Sequence, residues 1–248
     1  MIVIPMAGMS SRFFKAGYDK PKYMLDAHGE TLFAHAVKSF QAYFKSKPFL
    51  FIVKDSFETP SFVLEQVKKL GITEYYIEVL QQDTRGQAET VYLGLKQLFS
   101  NQCDYVDEIT VFNIDTFRPG FKFPNVINES NGYLEVFKGE GDNWSFARPE
   151  SSNSNRVIET AEKNPISDLC STGLYHFEKV HYFFDAFDEY IKLPKGSWEK
   201  GELYIAPLYN LMIKKDLVVR YHLIDNEDVI FCGVPSEYDY FLSLDIYN

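Results

Sequence analysis

Met1-Ile2-Val3-Ile4-Pro5-Met6-Ala7-Gly8-Met9-Ser10-Ser11-Arg12, with Lys20-Pro21-Lys22 closing the same segment, is the stretch on which the reading of this chain turns. A short apolar run, rich in β-branched residues, ends in a turn of small residues. An arginine follows at once, and Lys22 comes ten positions after it. This is the layout of a strand running into a loop whose backbone N–H groups can wrap a polyphosphate, with a guanidinium and an ammonium group to neutralise it. A plainer reading makes Gly8 a tight strand-to-helix turn and Arg12 and Lys22 ordinary surface charges. The loop's place after the first strand of an α/β pattern favours the phosphate reading.

That pattern runs outward through the first half of the chain. Met1–Met6, Phe49–Val53, Tyr75–Leu80 and Glu108–Asn113 read as strands. Between them Thr31–Tyr43, Pro60–Leu70 and Gly86–Phe99 space their apolar residues as helices do, with Ala88, Val91, Leu95 and Leu98 on one side of the last. Gly71 reads as a helix stop. Alternation of this kind implies a mostly parallel sheet covered on both faces, with ligands at the carboxyl ends of its strands. Gly8, the Gln81–Gln87 turn and Asp115 all fall at such ends. The second half is different: short strands at Gly132–Phe137, Trp144–Arg148, Val157–Glu162, Gly173–Phe177, Val218–Leu223 and Val229–Gly233, and helices over Val180–Ile191, Leu203–Lys214 (interrupted early by Pro207) and Glu237–Leu244. Pro149–Asn155 is the most loop-like stretch.

A chain of 248 residues, 46% hydrophobic and 17% aromatic, is long and apolar enough for one large folded unit and excludes a disordered one. The formal net charge of −10 argues against a general nucleic-acid or anionic-membrane binder, because counterion release needs a basic face. Cys103, Cys170 and Cys232 lie far apart, with no spacing that signals zinc or a disulfide framework, which fits a reducing cytoplasm. No apolar run approaches the roughly 18 residues of a membrane span, and Met1 leads straight into Ile2-Val3-Ile4 with no signal-peptide pattern.

Three further motifs carry chemistry. Asp115, in Phe112-Asn113-Ile114-Asp115-Thr116, directly follows a buried strand and can hold Mg²⁺, which prefers a few carboxylates plus phosphate oxygens and water; capping a turn is the alternative. In Thr84-Arg85-Gly86-Gln87-Ala88-Glu89-Thr90, the small residues open a helix and let a planar base approach, and the Gln87 amide offers one donor and one acceptor to a base edge. Glu162-Lys163 places an acid beside a base on an extended segment, which sends their side chains to opposite faces: one for substrate hydroxyls and one for a phosphate, or simply a surface pair. The aromatics Tyr133, Trp144, Tyr175, Trp198 and Tyr204 are candidates for stacking on a sugar or for the core.

Together these segments resemble the nucleotidyltransferase family that makes nucleotide-sugars from sugar phosphates. PMAGMSSRF with DKPKYML resembles its N-terminal signature, RGQAETV its base-binding segment, FNID the strand ending in the metal aspartate, and IETAEKNPISDLCSTGLYHF its Glu-Lys-Pro segment followed by a glycine-containing strand. The resemblance spans nearly the whole chain, in order. It implies a three-layer α/β/α sandwich with a mostly parallel mixed sheet, Rossmann-like, and an inserted substrate lobe, in one domain whose nucleotide half is 1–130 and substrate half 131–248. It implies that Arg12 and Lys22 are the catalytic cations, that Met6, Ala7, Gly8, Met9, Ser10, Ser11, Gly86, Gln87 and Ala88 bind the nucleotide, and that Asp115 holds Mg²⁺. By the same resemblance Glu162, Lys163, Gly173, Asp142 and Trp144 contact the acceptor. The partners would be an NTP, with a pyrimidine base favoured, and a sugar phosphate or similar phosphorylated alcohol; neither nucleic acid nor membrane is expected, and a homo-oligomer is left open. In bacteria the resemblance most often implies capsule or surface-polysaccharide synthesis.

The chain departs from that pattern at three places. Ser10 replaces the second loop glycine. Phe231 stands where a second metal aspartate is usual, and Asp225 and Asp228 are out of register with it. Asn164 delays the proline after Glu162-Lys163 to Pro165. A glycosyltransferase of related fold, using a nucleotide-sugar, is one alternative, although Asp115-Thr116-Phe117 lacks the paired aspartate of that group. A catalytically silent nucleotide-sugar-binding subunit is the other.

Overall fold

The computed structural model describes residues 1–101 and 107–245, so Cys103 lies outside the described residues. Thirteen strands and seven α-helices make up the described fold. The strands are β1 (Ile2–Pro5), β2 (Asp26–Ala27), β3 (Glu30–Thr31), β4 (Phe49–Lys54), β5 (Tyr75–Leu80), β6 (Ile109–Phe112), β7 (Thr116–Phe117), β8 (Gly132–Lys138), β9 (Ser145–Pro149), β10 (Val157–Glu162), β11 (Leu169–Phe177), β12 (Val219–Leu223) and β13 (Ile230–Phe231). The helices are α1 (Ser11–Lys15), α2 (Leu32–Lys38), α3 (Thr59–Leu70), α4 (Gln87–Asn101), α5 (Val180–Tyr190), α6 (Ala206–Ile213) and α7 (Pro235–Ser243).

A nine-stranded mixed sheet runs in the order β10-β9-β11-β6-β1-β4-β5, with β8 joined to β11 and β12 joined to β8. The four strands from the first half pair in parallel, while β11 is antiparallel to β6, β8 and β9. Alternation along each strand assigns the layers. Val3, Leu50, Ile52, Ile109 and Val111 face one core with α4, α5 and α6. Ile2, Ile4, Phe49, Phe51, Val53 and Phe112 face the other, with α2, α3 and α7. Helices on both faces of a mixed sheet are the three-layer α/β arrangement expected.

Three local differences from expectation have simple causes. Pro207 does not interrupt a helix from Leu203. It lies in the first turn of α6, where its missing N–H costs no hydrogen bond. β11 begins at Leu169 rather than Gly173, because Gly173 sits inside the strand at φ 89° where its register with β8 shifts. The β2–β3 hairpin turns through His28 and Gly29, both at positive φ, and two-residue strands leave no period to read. Among the described residues no helix is long and apolar enough to cross a membrane.

A buried ion pair ties the segment after β7 to β8 of the main sheet. Arg118 Nε donates to Glu135 Oε1 at 2.7 Å and Arg118 Nη2 to Glu135 Oε2 at 3.2 Å, and the Thr172 hydroxyl donates to the same carboxylate at 3.1 Å. Arg118 Nη1 also donates to the backbone oxygen of Asp228. Removing one partner would strand the other charge in the core. Glu135→Ala should therefore lower stability in urea unfolding by about 3–5 kcal/mol, and a loss below about 1 kcal/mol would mean that water reaches Arg118.

Candidate active site

From β1 the chain winds outward through β4 to β5, then crosses back to place β6 on the other side of β1. Where the winding direction reverses, the loops leaving the carboxyl ends of β1 and β6 part and open a crevice. Two adjoining cavities fill it, of about 800 and 760 Å³. They share Ser10, Ser11, Lys22, Gln87, Asn113, Asp115 and Tyr204, so they form one cleft with two halves and a common seam.

The smaller half is walled by Met6, Ala7, Gly8, Met9, Ser10 and Ser11 on one side and by Asp83, Thr84, Arg85, Gly86 and Gln87 on the other. Ser10 adopts the left-handed conformation, φ 49°, although it is not glycine. Its hydroxyl accepts the N–H of Lys22 at 3.2 Å and its carbonyl the N–H of Phe13 at 2.9 Å, which offset the roughly 1–2 kcal/mol cost of that backbone. A side chain at Gly8 would meet nothing within 4 Å, so the loop backbone is open to a ligand there. Across the cavity a strap at residues 201–204 is bolted to the turn before α4: Leu203 N–H donates to Arg85 O at 2.8 Å and Ala88 N–H to Leu203 O at 2.9 Å. Ala88 is consequently in the core and does not line the cavity. The Gln87 side-chain amide donates to Asn113 Oδ1, leaving its own oxygen as the free acceptor.

At the seam the Lys22 ammonium group pairs with the Asp115 carboxylate, and both side chains keep about a fifth of their exposure, 19% and 24%. The Asp115 carbonyl accepts the N–H of Cys232 at 2.8 Å, which holds β13 against this loop. A Cβ at Gly233 would lie 3.2 Å from Asp115 Oδ2 and 3.5 Å from Glu237 Oε2, so the two carboxylates flank a space that exists because residue 233 is glycine. Glu237 Oε2 also accepts the N–H groups of Gly233 (2.7 Å) and Val234 (3.1 Å) at the start of α7. Burial, with Glu237 and Asp115 alongside, pushes the Cys232 thiol up to about 12. Arg12 lines the larger half, and neither Asp225 nor Asp228 lines either half.

The larger half is walled by Glu140, Asn143, Trp144, Ser145, Glu162, Tyr175, Tyr204 and Phe231. Glu162 is 8% exposed and takes the Ser145 hydroxyl, which lies 3.0 Å from that of Tyr175. Burial raises the Glu162 carboxyl above its ordinary value, and burial together with Glu162 pushes the Tyr175 phenol up to about 12. Lys163 was expected to point away from Glu162. Instead it leaves the strand at φ 53°, and its ammonium group reaches the Tyr204 hydroxyl on the wall of the same cleft. Gly173 contributes space: a Cβ there would fall 2.2 Å from Asn113 Nδ2. Asp142 lies apart, in a shallow depression with Gly139, Pro165 and Asp168. Among the aromatic candidates Tyr133 and Trp198 are core residues, whereas Trp144, Tyr175 and Tyr204 line the cleft.

Asn113, Ser145 and Glu237 were not singled out from the sequence. Only Glu237 carried a local signal, an acid in the first turn of a helix that opens with Pro235.

The fold has counterparts among solved structures. The crystal structure of a nucleoside-diphosphate-sugar pyrophosphorylase from Vibrio cholerae RC9 matches with a TM-score of 0.96 and 63% sequence identity, over 98% of this chain and 100% of that one. An inositol-1-phosphate CTP transferase from T. maritima matches with a TM-score of 0.70 at 13% identity, over 97% and 92% of the two chains. A UDP-glucose pyrophosphorylase from Acinetobacter baumanii matches with 0.69 at 14%, over 97% and 91%. At such low identity these last two establish a shared fold. No protein-family model matches the chain, and no curated protein sequence does.

The strap makes a sharp prediction. A Cβ on Gly86 would lie 2.5–2.8 Å from backbone atoms of Leu203, at φ 145°. Gly86→Ala must shift the strap or the turn, and should weaken nucleotide binding about tenfold in calorimetric titration while costing about 1–3 kcal/mol of stability. Unchanged affinity would mean that this turn does not touch a bound nucleotide.

Proposed function

The chain belongs to the nucleoside-diphosphate-sugar pyrophosphorylase family of nucleotidyltransferases, and from that premise we propose that it joins a pyrimidine NTP to a sugar phosphate with release of pyrophosphate. The observation that carries this reading is the seam itself: a lysine and an aspartate held together where two cavities meet, with the phosphate-type loop on one side. Family membership argues against the glycosyltransferase alternative, and Mg²⁺-dependent turnover is the observation that excludes a silent subunit.

In the reaction an oxygen of the acceptor phosphate attacks the α-phosphorus of the NTP, and the bond from that phosphorus to the β-phosphate oxygen breaks. The nucleophile is already anionic, so no general base is required and rate comes from positioning and charge stabilisation. The loop N–H groups of Gly8–Ser11 hold the β and γ phosphates. Arg12 and Lys22 offset repulsion between the two polyanions, and Lys22 exchanges Asp115 for phosphate oxygen as the nucleotide enters. That exchange is cheap, since a partly exposed ion pair is worth about 1 kcal/mol or less. Glu162 accepts acceptor hydroxyls, and Lys163, through Tyr204, braces the same wall.

The seam suits Mg²⁺. Asp115 and Glu237 offer hard oxygen donors around the space left by Gly233. Mg²⁺ takes few carboxylates and fills its shell with phosphate oxygens and water, so two such donors beside a bound triphosphate would serve it. When bound it would polarise the phosphoryl oxygens and favour departure of pyrophosphate. The pyrimidine preference rests on the likeness of RGQAETV to the family's base-binding segment, in which the Gln87 oxygen, without a partner among the described residues, would accept an N–H from the base edge. A cytoplasmic place and a role in surface-polysaccharide synthesis extend the same reading.

Pyrophosphate release with Mg²⁺, measured for the four common NTPs and dTTP against a panel of sugar 1-phosphates, should appear with one pyrimidine nucleotide; a strong purine preference would remove the role given to Gln87. Lys22→Ala should keep its thermal midpoint and lose two to three orders of magnitude in kcat, roughly the worth of one transition-state charge contact. Near-normal turnover would sink the assignment.

A further inference from the structure

Phe231 stands at the position where the sequence pattern leads one to expect a charged metal ligand, and its surroundings give it a different task. It lies on β13 opposite Thr116, one residue from Asp115. Its ring reaches into the larger half of the cleft and packs 4.8 Å from Trp144 and 5.2 Å from Phe137, with Trp144 and Phe137 edge-on at 5.0 Å. Phe137 is buried and backs the other two, while Trp144 and Phe231 are half-buried and line the cavity. The Trp144 indole N–H donates to Glu140 O at 3.2 Å, so the one polar atom of the ring is turned into its own loop. What remains toward the cavity is an apolar wall of two aromatic surfaces.

The same cavity holds the opposite chemistry. Glu162 is more than nine-tenths buried, receives a single side-chain hydrogen bond, from Ser145, and forms no salt bridge among the described residues. Glu162 lines the cavity, and a carboxylate has more acceptor capacity than the one Ser145 hydroxyl uses, so it can take further donors from whatever enters. Glu140 adds a second carboxylate to the lining. A sugar ring answers both demands: its C–H face covers aromatic surface and its hydroxyls donate to carboxylate oxygens. A ring carrying its own carboxylate would meet like charge. An acyclic phospho-alcohol has no flat face to offer.

We propose that Phe231 and Trp144 are specificity-determining residues of the acceptor site, forming an aromatic wall beside Glu162 that selects an uncharged sugar ring. This rests on the nucleotidyl-transfer reading of the same cleft. It goes beyond that reading by assigning a role to Phe231 and by excluding acidic and acyclic acceptors.

The test is calorimetric titration of the full chain, with Mg²⁺ and a non-hydrolysable NTP analogue present. The probes are glucose 1-phosphate, galactose 1-phosphate, N-acetylglucosamine 1-phosphate, glucuronic acid 1-phosphate and glycerol 1-phosphate. At least one neutral sugar phosphate should bind about tenfold tighter than the glucuronic acid and glycerol compounds, a discrimination of about 1.4 kcal/mol. Phe231→Leu keeps an apolar side chain and should weaken that binding about fivefold, with nucleotide affinity unchanged as the control for folding. Trp144→Leu should do the same. Equal binding of the uronate or of glycerol 1-phosphate, or unchanged sugar affinity in both variants, overturns the proposal. Pyrophosphate release is followed in parallel with authentic NTP. Sugar binding that depends on Phe231 without any release would sink nucleotidyl transfer and leave the wall standing; release with glycerol 1-phosphate as readily as with sugars would do the reverse.

Discussion

Lys22 and Asp115 are 93 positions apart in sequence and meet at one point of the cleft, and the neighbouring elements are arranged around that meeting. The reversal of winding at β1 makes it geometrically available, because it sets the carboxyl ends of β1 and β6 side by side. The Ser10 hydroxyl holds the backbone of Lys22 from below, and the N–H of Cys232 holds that of Asp115 from the side. The contact stabilises the fold little, since partly exposed ion pairs contribute about 1 kcal/mol or less. Its weakness suits the proposed reaction, in which Lys22 trades the pair for phosphate oxygen at each turnover. The strong buried pair, Arg118 with Glu135, lies elsewhere and holds the segment after β7 to β8.

The parallel half of the sheet was legible because fully buried strands leave unbroken apolar runs. Tyr75–Leu80 is a strand at the bounds its sequence indicates, and the helix with Ala88, Val91, Leu95 and Leu98 buries those four residues. The antiparallel half was legible in number and blurred at its edges. Leu169-Cys170-Ser171-Thr172 lacks alternation because β11 is covered on both sides, and the glycine inside it looks like a start. In the cleft, the residues legible in advance sit in contiguous motifs: the first loop with Arg12 and Lys22, Gly86-Gln87, Asp115, Trp144 and Glu162. Asn113, Ser145 and Glu237 work through partners 26, 17 and 4 positions away, and two of those separations are too long to leave a local pattern.

Ser10 shows why a missing glycine need not mean a missing function. The loop requires a left-handed residue, not glycine as such, and serine supplies a hydroxyl that fixes the next functional element, Lys22. Gly233 is the converse case. No unusual dihedral demands glycine there; what matters is the room left between two carboxylates. Gly173 and Gly86 combine both demands, positive φ and a neighbour that a Cβ would strike.

Charge is distributed unevenly along the cleft. Lys22 sits at the seam, paired with Asp115, and Arg12 lines the larger half, whose lining also includes Glu140 and Glu162, while the strap carries Glu202. In a chain of net charge −10 such a pattern repels most anions and admits one whose charge sits at a single end. A neutral sugar ring with one phosphate is such a molecule: its phosphate is drawn to the seam and its hydroxyls to the carboxylates. An acceptor entering backwards would set its phosphate against Glu162 and its hydroxyls against Lys22. On the proposed reading this charge pattern orients the nucleophile before any catalytic contact forms, and an aromatic residue at position 231 adds no further carboxylate beside Asp115 and Glu237.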